Sequence, residues 1–161
     1  MKLSHVDETG RARMVDVGGK PVSTRVARAE GRVTMSAEAY RLVEAQAIAK
    51  GDVLAVAEVA GVMGAKRTGE LIPLCHPLGL DQVTVVAELE PGMPGVRILA
   101  TAKTEARTGV EMEALTAVAV ACLTVYDMVK AVDRSMSIGD IRLLTKTGGT
   151  HGDWHREGHG P

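Results

Sequence analysis

The alternation of apolar and polar residues along the chain predicts three strands. A first strand is predicted over residues 21–35, where β-branched residues alternate with charges, as in a strand that is exposed on one face. The same alternation recurs over 80–90 and over 96–105, on either side of the segment Pro-Gly-Met-Pro-Gly at 91–95. Proline and glycine at such a position favour a tight connection, so the second and third strands are predicted to form an antiparallel hairpin.

Apolar residues recur at helical spacing in two neighbouring segments, 37–50 and 52–66. Ser36 and Asp52 each precede such a segment, and both residue types accept hydrogen bonds from the free N–H groups of a first turn. Gly51 separates the two segments and is suited to end the first helix. We therefore predict two capped helices between the first strand and the hairpin.

A third and longer helix is predicted from about 110 to 132, followed by a short final strand over 138–144. Between Ala114 and Val125 this helix is apolar on almost every face, which predicts burial against the sheet on one side and a second subunit on the other. The apolar run ending at Tyr126 is shorter than the roughly 20 residues that cross a bilayer. We expect no membrane segment.

The predicted order β-α-α-β-β-α-β fits an α+β fold, a ferredoxin-like antiparallel sheet with helices packed on one face. Residues 1–21 are expected to form an extended N-terminal arm, 22–149 a single catalytic domain, and 150–161 a flexible C-terminal tail. The fold class alone does not identify a function, because this architecture hosts many of them.

Composition narrows the function classes. The chain has 161 residues, 45% of them apolar, and no phenylalanine, so its core must be built from small aliphatic residues that permit close helix-on-sheet packing. The formal net charge of −1 and the scarcity of aromatic residues argue against a nucleic-acid partner. Two cysteines and no basic-then-apolar leader predict free thiols and a cytoplasmic location.

The segment 71–78 carries the most distinctive chemistry. Pro77 biases the residue before it toward extended geometry, so Cys75 and His76 are held on a stiff turn outside any helix. Two interpretations of His76 stay open at this point: it contributes to a binding site, or it satisfies a backbone carbonyl at a strand-entry turn.

Charged residues mark both ends of the long predicted helix. Asp127 and Lys130 are three residues apart and share a face, which on spacing alone is typical of a solvated surface ion pair. Glu111 and Glu113 lie near the beginning and point about 200° apart in a regular helix. We therefore expect only one of these two glutamates to line a given pocket.

Several motifs occur together in a fixed order and carry a family resemblance. They are Ala-Lys-Arg-Thr-Gly at 65–69, Leu-Cys-His-Pro at 74–77, Thr-Gly-Val-Glu-Met-Glu-Ala-Leu-Thr at 108–116 and Tyr-Asp-Met-Val-Lys-Ala at 126–131, with further matches at 4–7, 14–17 and 24–29. From about Leu3 to Trp154 the chain resembles the cyclic pyranopterin monophosphate synthases, the molybdenum cofactor biosynthesis protein C family. Any one of these motifs alone would be a weak signal.

The resemblance implies an enzyme in which Asp127 and Lys130 are catalytic. A lysine in a partly dry pocket can donate or accept a proton, and Asp127 would orient Lys130, relay its proton or act directly. The implied reaction converts 3′,8-cyclo-7,8-dihydroguanosine 5′-triphosphate to cyclic pyranopterin monophosphate with release of diphosphate, by a lyase of the cytoplasm. The implied assembly is a homohexamer, a trimer of dimers.

The resemblance also implies how the substrate is bound. Arg25, Lys50 and Lys146 would hold the triphosphate, from one subunit or from two, and Lys66 would border the same pocket. A guanine-like edge would meet the other end of the pocket, where a carboxylate can accept two N–H bonds. The implied residues at that end are Leu74, Cys75, His76, Met112 and Glu113. No cofactor is expected to be required, although magnesium is compatible with a triphosphate substrate.

One segment departs from the family pattern. The family commonly has Lys-Ser-Gly-Gly-Lys-Ser-Gly where residues 146–152 here are Lys-Thr-Gly-Gly-Thr-His-Gly, so the second lysine is missing. Lys146 and the paired glycines still predict an anion-binding loop, with no defined role for Thr150 or His151. Histidines spaced four residues apart in the tail, at 151, 155 and 159, raise metal chelation as an alternative, but the glycines there disfavour a helix and no metal site is predicted.

Two other classes of function remain as alternatives. The first is a non-catalytic, oligomeric module that binds a nucleotide or a small anion as a regulator. The second is a purely structural assembly protein, which would explain the apolar helix but not Leu-Cys-His-Pro or Lys130.

Overall fold

The computed structural model describes residues 6–158, so the family match at residues 4 and 5 and the tail histidine at 159 lie outside the described residues. The chain forms one five-stranded sheet with four helices. In chain order the elements are β1 (Ser23–Thr34), α1 (Ala37–Glu44), α2 (Val53–Lys66), α3 (Thr68–Leu71), β2 (Gln82–Glu90), β3 (Gly95–Ala106), α4 (Glu111–Val129), β4 (Ser137–Thr147) and β5 (Trp154–His155).

The strand order confirms the predicted fold class. The strands lie in the order β2-β3-β1-β4-β5, and every neighbouring pair is antiparallel. The two connections that contain helices, from β1 to β2 and from β3 to β4, place those strands on either side of the central pair β1 and β3. This is the arrangement of the split β-α-β ferredoxin-like unit, with β5 added at one edge.

Local signals account for most element boundaries. The Ser36 side chain accepts a hydrogen bond from the Ala39 N–H at 3.2 Å, and the Asp52 side chain accepts one from the Ala55 N–H at 3.1 Å, so both predicted caps are confirmed. The hairpin between β2 and β3 turns through the predicted proline-glycine segment. Helix α3 was not predicted, and β4 extends beyond its predicted ends.

The first helix ends earlier than its sequence predicted. Gln46 adopts the left-handed conformation with φ of +53°, and the Ala47 N–H donates to the Leu42 carbonyl at 2.8 Å, which closes the helix about two turns before Gly51. The prediction that Gly51 ends the first helix is therefore wrong. Lys50 consequently lies in a turn and not at a helix C-terminus.

Small residues bring the helices close to the sheet, as the absence of phenylalanine predicted. Gly31 of β1 lies under α4, where an added Cβ would approach Cγ1 of Val118 to 2.5 Å. Gly61 of α2 leaves room for both Val85 and the Ala117 carbonyl. The resulting core lies between the sheet and the helix pair α2 and α4.

Helix α4 packs on the sheet beside α2, and α2 contacts both α4 and β2. Much of the face that the sequence assigned to a second subunit is therefore covered by α2 of the same chain. Apolar side chains remain exposed on the outer surface of this helix pair, among them Val59 (62% exposed), Leu123 (59%) and Met63 (54%). Among the described residues α4 is also long and apolar enough to cross a membrane, but more than half of it is buried in the core.

The sheet face opposite the helices carries an ion-pair cluster. Glu30 of β1 is fully buried and accepts hydrogen bonds from Arg97 of β3 and Arg142 of β4, each with a shortest separation of 2.7 Å. Burial raises the pKa of the Glu30 carboxyl, but the two guanidinium groups outweigh that effect and lower the pKa below its ordinary value of 4.5. These bonds connect the three strands β3, β1 and β4.

The C-terminal segment adds a short edge strand. Residues Trp154–His155 pair with β4, and the Arg156 N–H donates to the Leu144 carbonyl at 2.8 Å. The predicted division into arm, domain and tail stays a prediction, with this pairing as a structural feature inside the predicted tail.

Candidate active site

Two adjoining cavities open at the beginning of α4. The larger has a volume of about 620 Å³ and the smaller about 140 Å³. Five residues line both cavities, so the two form one continuous, two-part site. These are Lys20, Thr108, Gly109, Glu111 and His151.

The larger cavity brings together one set of the implied substrate-binding residues. The turn after α3 supplies three of them, and the first turn of α4 supplies the other two. All five, Leu74, Cys75, His76, Met112 and Glu113, line this cavity. The N-terminal arm closes one side of it through Val15 and Val17.

His76 connects the cavity to the arm. Its Nε2 lies 2.7 Å from the Val15 carbonyl oxygen, and because a carbonyl can only accept, Nε2 carries the proton and donates. His76 therefore satisfies a backbone carbonyl and also lines a cavity, and its contribution to binding stays a prediction. That carbonyl belongs to a segment 61 residues away in sequence.

Glu113 is the buried carboxyl of the larger cavity, with only 4% of its surface exposed. Burial raises the pKa of Glu113, its own backbone N–H opposes the shift, and the nearby charge of Glu111 adds to it. No ion pair engages Glu113 within residues 6–158. A carboxyl in this position can accept hydrogen bonds from N–H groups of a ligand.

Neither cysteine has the character of an activated nucleophile. Burial raises the pKa of Cys75, with further contributions from Glu113 and Glu111, and burial raises the pKa of Cys122 to about 12. Both thiols are free, as the sequence predicted. Cys75 therefore contributes to the cavity as a neutral thiol.

Glu111 and Glu113 both line the larger cavity, so the prediction that only one of them would do so is wrong. Glu111 is the first residue of α4, and its side chain folds back past the helix end to accept a 2.6 Å bond from Lys146. It packs over Gly109, where there is no space for a Cβ. The 200° separation applies within a regular helix, and a side chain at the terminus escapes it.

Cations dominate the smaller cavity. Arg25 from β1, Arg107 from the end of β3, Lys20 from the arm and Lys146 from β4 all line it. The β1–β4 register pairs Lys146 with Ala27, two residues from Arg25, which brings both cations to the same end of the sheet. The beginning of α4 has no side-chain cap, and free N–H groups at a helix start favour anions.

Arg25 is the most buried of these cations, with 9% of its surface exposed. Its Nε donates to the Ala106 carbonyl at 3.3 Å, and the guanidinium lies directly against Gly149. Gly148 and Gly149 have φ values of +87° and +93°, so the loop after β4 takes a path that residues with a Cβ rarely adopt. In the described part of the chain Arg25 makes no ion pair. A buried, unpaired guanidinium is suited to an anionic ligand.

The two implied catalytic residues lie at the other end of α4. The Asp127 carboxylate accepts bonds from Lys130 at 2.6 Å and from Lys50 at 2.7 Å. These bonds, that of Lys130 first, lower the pKa of Asp127 to about 2. The helical rise places Asp127 about 20 Å from Glu113. Within one chain neither cavity contains Asp127, Lys130 or Lys50.

Lys50 is thus separated from the other two implied triphosphate ligands, Arg25 and Lys146. Lys66 also lies apart: it lines a surface depression with Val62, Asp81 and Val83, which meets the larger cavity only through Leu78. Within a single chain the structure therefore divides the implied site residues among three places. The assignment of roles to these residues stays a prediction.

Several lining residues were missed by sequence reasoning. Lys20 belongs to the arm, whose glycines and charges gave no periodic signal, and Val15 and Val17 lay inside the quoted match at 14–17 without an assigned role. Arg107 follows β3 directly and has no motif of its own, whereas Thr108 and Gly109 lay inside a quoted motif without an assigned role. No cluster of three or more histidine, cysteine, aspartate or glutamate residues that could hold a metal occurs over residues 6–158.

This chain is similar over most of its length to members of one known protein family. A sequence profile described as the MoaC family matches residues 14–149. The chain belongs to the MoaC family. A relative from Cereibacter sphaeroides named cyclic pyranopterin monophosphate synthase is 61% identical over 150 residues, which cover 93% of this chain and 94% of the relative. A relative of the same name from Brucella ovis is 56% identical over 153 residues, covering 95% and 93%.

The MoaC-family match confirms the resemblance that the motifs carried. The matched region begins in the N-terminal arm, one residue before Val15 of the larger cavity, and ends in the glycine loop beside the smaller cavity. All implied site residues of this MoaC-family chain, from Arg25 to Lys146, fall inside that region.

Proposed function

We propose that this chain is a cyclic pyranopterin monophosphate synthase of molybdenum cofactor biosynthesis. The names of its relatives support this activity. The observation that carries the proposal is the two-part cavity, in which the buried carboxyl of Glu113 adjoins the buried guanidinium of Arg25, and neither group forms an ion pair within residues 6–158. A ligand that joins a purine-like base to a triphosphate presents complementary groups to both.

The proposed substrate is 3′,8-cyclo-7,8-dihydroguanosine 5′-triphosphate, and the enzyme acts as a lyase. The base-derived end occupies the larger cavity, where Glu113 accepts from its N–H groups and His76 lies alongside. The triphosphate occupies the smaller cavity beside Arg25 and Lys146. Attack of a ribose hydroxyl on the first phosphate forms the cyclic monophosphate and releases diphosphate as the leaving group.

The proton transfers of ring opening and closure are assigned to Lys130 and Asp127. Because these residues lie about 20 Å from Glu113 in one chain, the proposal requires that a second chain supply them to each cavity. Lys50 accompanies Asp127 and would reach the triphosphate from that second chain as well. The exposed apolar side chains of α2 and α4 support self-association, proposed here as a homohexamer built from dimers.

The chemistry requires acid-base groups and cations but no electron transfer, so no redox cofactor is proposed. Magnesium is compatible with a triphosphate ligand. The cytoplasm is the proposed compartment, where two free thiols stay reduced.

Incubation of the purified protein with the cyclised GTP intermediate, followed by mass analysis of the products, tests the proposal. We expect equal amounts of cyclic pyranopterin monophosphate and diphosphate from the wild-type protein, and no product from Glu113→Gln. A nucleotide-binding regulator would bind the intermediate and return it unchanged, and a structural protein would not bind it. Either result would overturn the proposed activity.

A further inference from the structure

His151 occupies an unusual position in the two-part site. It lies in the loop after β4, two residues beyond Gly149, and lines both the larger and the smaller cavity. Every other residue of the loop from Gly148 to Gly152 contacts at most the smaller cavity. His151 is thus at the junction where the base-derived and phosphate-binding halves meet.

The loop leaves one nitrogen of His151 available. Thr150 Oγ1 lies 3.3 Å from Nδ1 of His151, so Nδ1 has a partner inside the loop. No hydrogen bond to Nε2 of His151 occurs in the described part of the chain. An imidazole held in this way can present Nε2 to a ligand in the cavity.

The groups that share the cavities with His151 come from every surrounding element. The arm supplies Lys20, β1 supplies Arg25, and β4 supplies Lys146, which is paired with Glu111 at the start of α4. The remaining titratable and charged groups of the cavities are Arg107 after β3, Glu113 on α4, and Cys75 and His76 after α3. Asp153 lies outside both cavities and accepts from the Gly148 N–H.

We propose that His151 is a further phosphate-binding residue of this chain, and that its protonation makes the affinity of the smaller cavity for polyphosphate depend on pH. The inference rests on the proposed function, since it assigns the triphosphate to the smaller cavity. Nothing in the mechanism above requires His151, so its effect is on binding and not on the proton transfers.

The physical basis is charge linkage. Histidine is the side chain whose charge ordinarily changes between pH 5 and pH 8. A polyphosphate bound in the smaller cavity would place negative charge next to His151, and a nearby negative charge favours the protonated form of an imidazole. Ligand binding therefore draws a proton onto His151, and the same linkage strengthens binding as the pH falls.

Isothermal titration of the full-length protein with inorganic triphosphate tests the proposal. The wild-type protein is compared with His151→Gln, which is never charged, and His151→Lys, which is charged throughout, at about pH 6 and about pH 8. Protonation of triphosphate itself cancels in the ratio of two affinities measured at one pH. At the lower pH we expect wild type to bind triphosphate about three- to fivefold more tightly than His151→Gln, which corresponds to the gain of one exposed ion pair. At the higher pH we expect the two proteins to bind triphosphate equally.

His151→Lys should exceed His151→Gln by a similar factor at both pH values, because its charge does not change. His155→Gln is the matched control in the same segment: His155 lies on β5 outside both cavities and should keep wild-type affinities. Equal affinities of wild type and His151→Gln at both pH values, while wild type binds triphosphate, would overturn the role of His151 alone. Absence of triphosphate binding by wild type would overturn the proposed phosphate site as well.

Discussion

The separation of the site residues along α4 makes a specific prediction about mixed oligomers. Lys130 lies at the C-terminal end of α4, whereas Arg25 lines the smaller cavity near the beginning of α4. The two residues of one chain would therefore contribute to different composite pockets. A chain with Lys130→Ala and a chain with Arg25→Ala are each expected to be inactive alone. When the two are mixed, unfolded and refolded together, some composite pockets receive an intact residue from each chain.

The expected magnitude follows from counting pockets. If equal amounts assemble at random, about half of the dimers are mixed, and each mixed dimer has one intact pocket and one that lacks both residues. About a quarter of all pockets are therefore intact, and turnover should recover to about 25% of wild type. The assay is the rate of product formation per chain at a concentration of cyclised intermediate well below saturation, where weakened binding leaves Arg25→Ala nearly inactive, with the oligomeric state checked by light scattering.

The structure also supplies the matched control. Asp127 forms a direct ion pair with Lys130, so Asp127→Asn affects the same pocket half as Lys130→Ala, and mixing these two chains should restore nothing. Lys50 belongs to the same group and is likewise not expected to complement Lys130. A stable oligomer in which the pairing of Lys130→Ala with Arg25→Ala also restores nothing would refute the shared pocket. A fully active monomer would refute the proposed assembly altogether.

Three further predictions concern single substitutions. Lys130→Ala should lower turnover about 100-fold or more without unfolding the protein, whereas Lys103→Ala on β3 should be neutral; near-normal turnover would contradict the acid-base role. Arg25→Ala should weaken substrate binding by about 1.5–3 kcal/mol by titration calorimetry, with exposed Arg28→Ala unchanged. Glu30→Gln should cost about 3 kcal/mol of unfolding free energy at neutral pH, measured in urea.

The Glu30 effect has a definite pH dependence. Its carboxyl pKa is lowered on folding, so the stability it contributes is complete above the ordinary value of 4.5. That contribution is lost as the pH falls through the lowered pKa, and the difference between wild type and Glu30→Gln should shrink there. An unchanged difference in acid would show that the loss comes from packing and not from charge. Glu88→Gln, exposed on β2, is the matched control.

The fold could be predicted because its signals are local. Alternation, caps and a proline-glycine loop act over a few residues, and Ser36 and Asp52 cap helices as their types predict. The end of α1 could not be predicted, because it depends on a left-handed conformation at Gln46 that glutamine rarely adopts. The covering of α4 by α2 also depends on tertiary packing that no single segment reveals.

The candidate site was predictable in composition but not in arrangement. The motif around His76 and the start of α4 indicated the larger cavity, yet nothing in the sequence linked His76 to Val15 of the arm. The pairing of Glu111 with Lys146 depends on a side chain that leaves the helix geometry at its first residue. Likewise, the meeting of Lys50 with Asp127 depends on how the turn before α2 packs against the end of α4.

The contact between Arg25 and the glycine loop has a consequence for tolerance to mutation. The guanidinium occupies the space that a Cβ of Gly149 would fill, so even alanine at that position would displace the charge. Gly148 packs in the same way against the Thr24 carbonyl and the Arg25 side chain. These two glycines therefore fix where Arg25, the most buried cation of the smaller cavity, lies. A survey of this protein that replaced only its charged residues would overlook them, although changing either one would move the positive potential without altering the net charge.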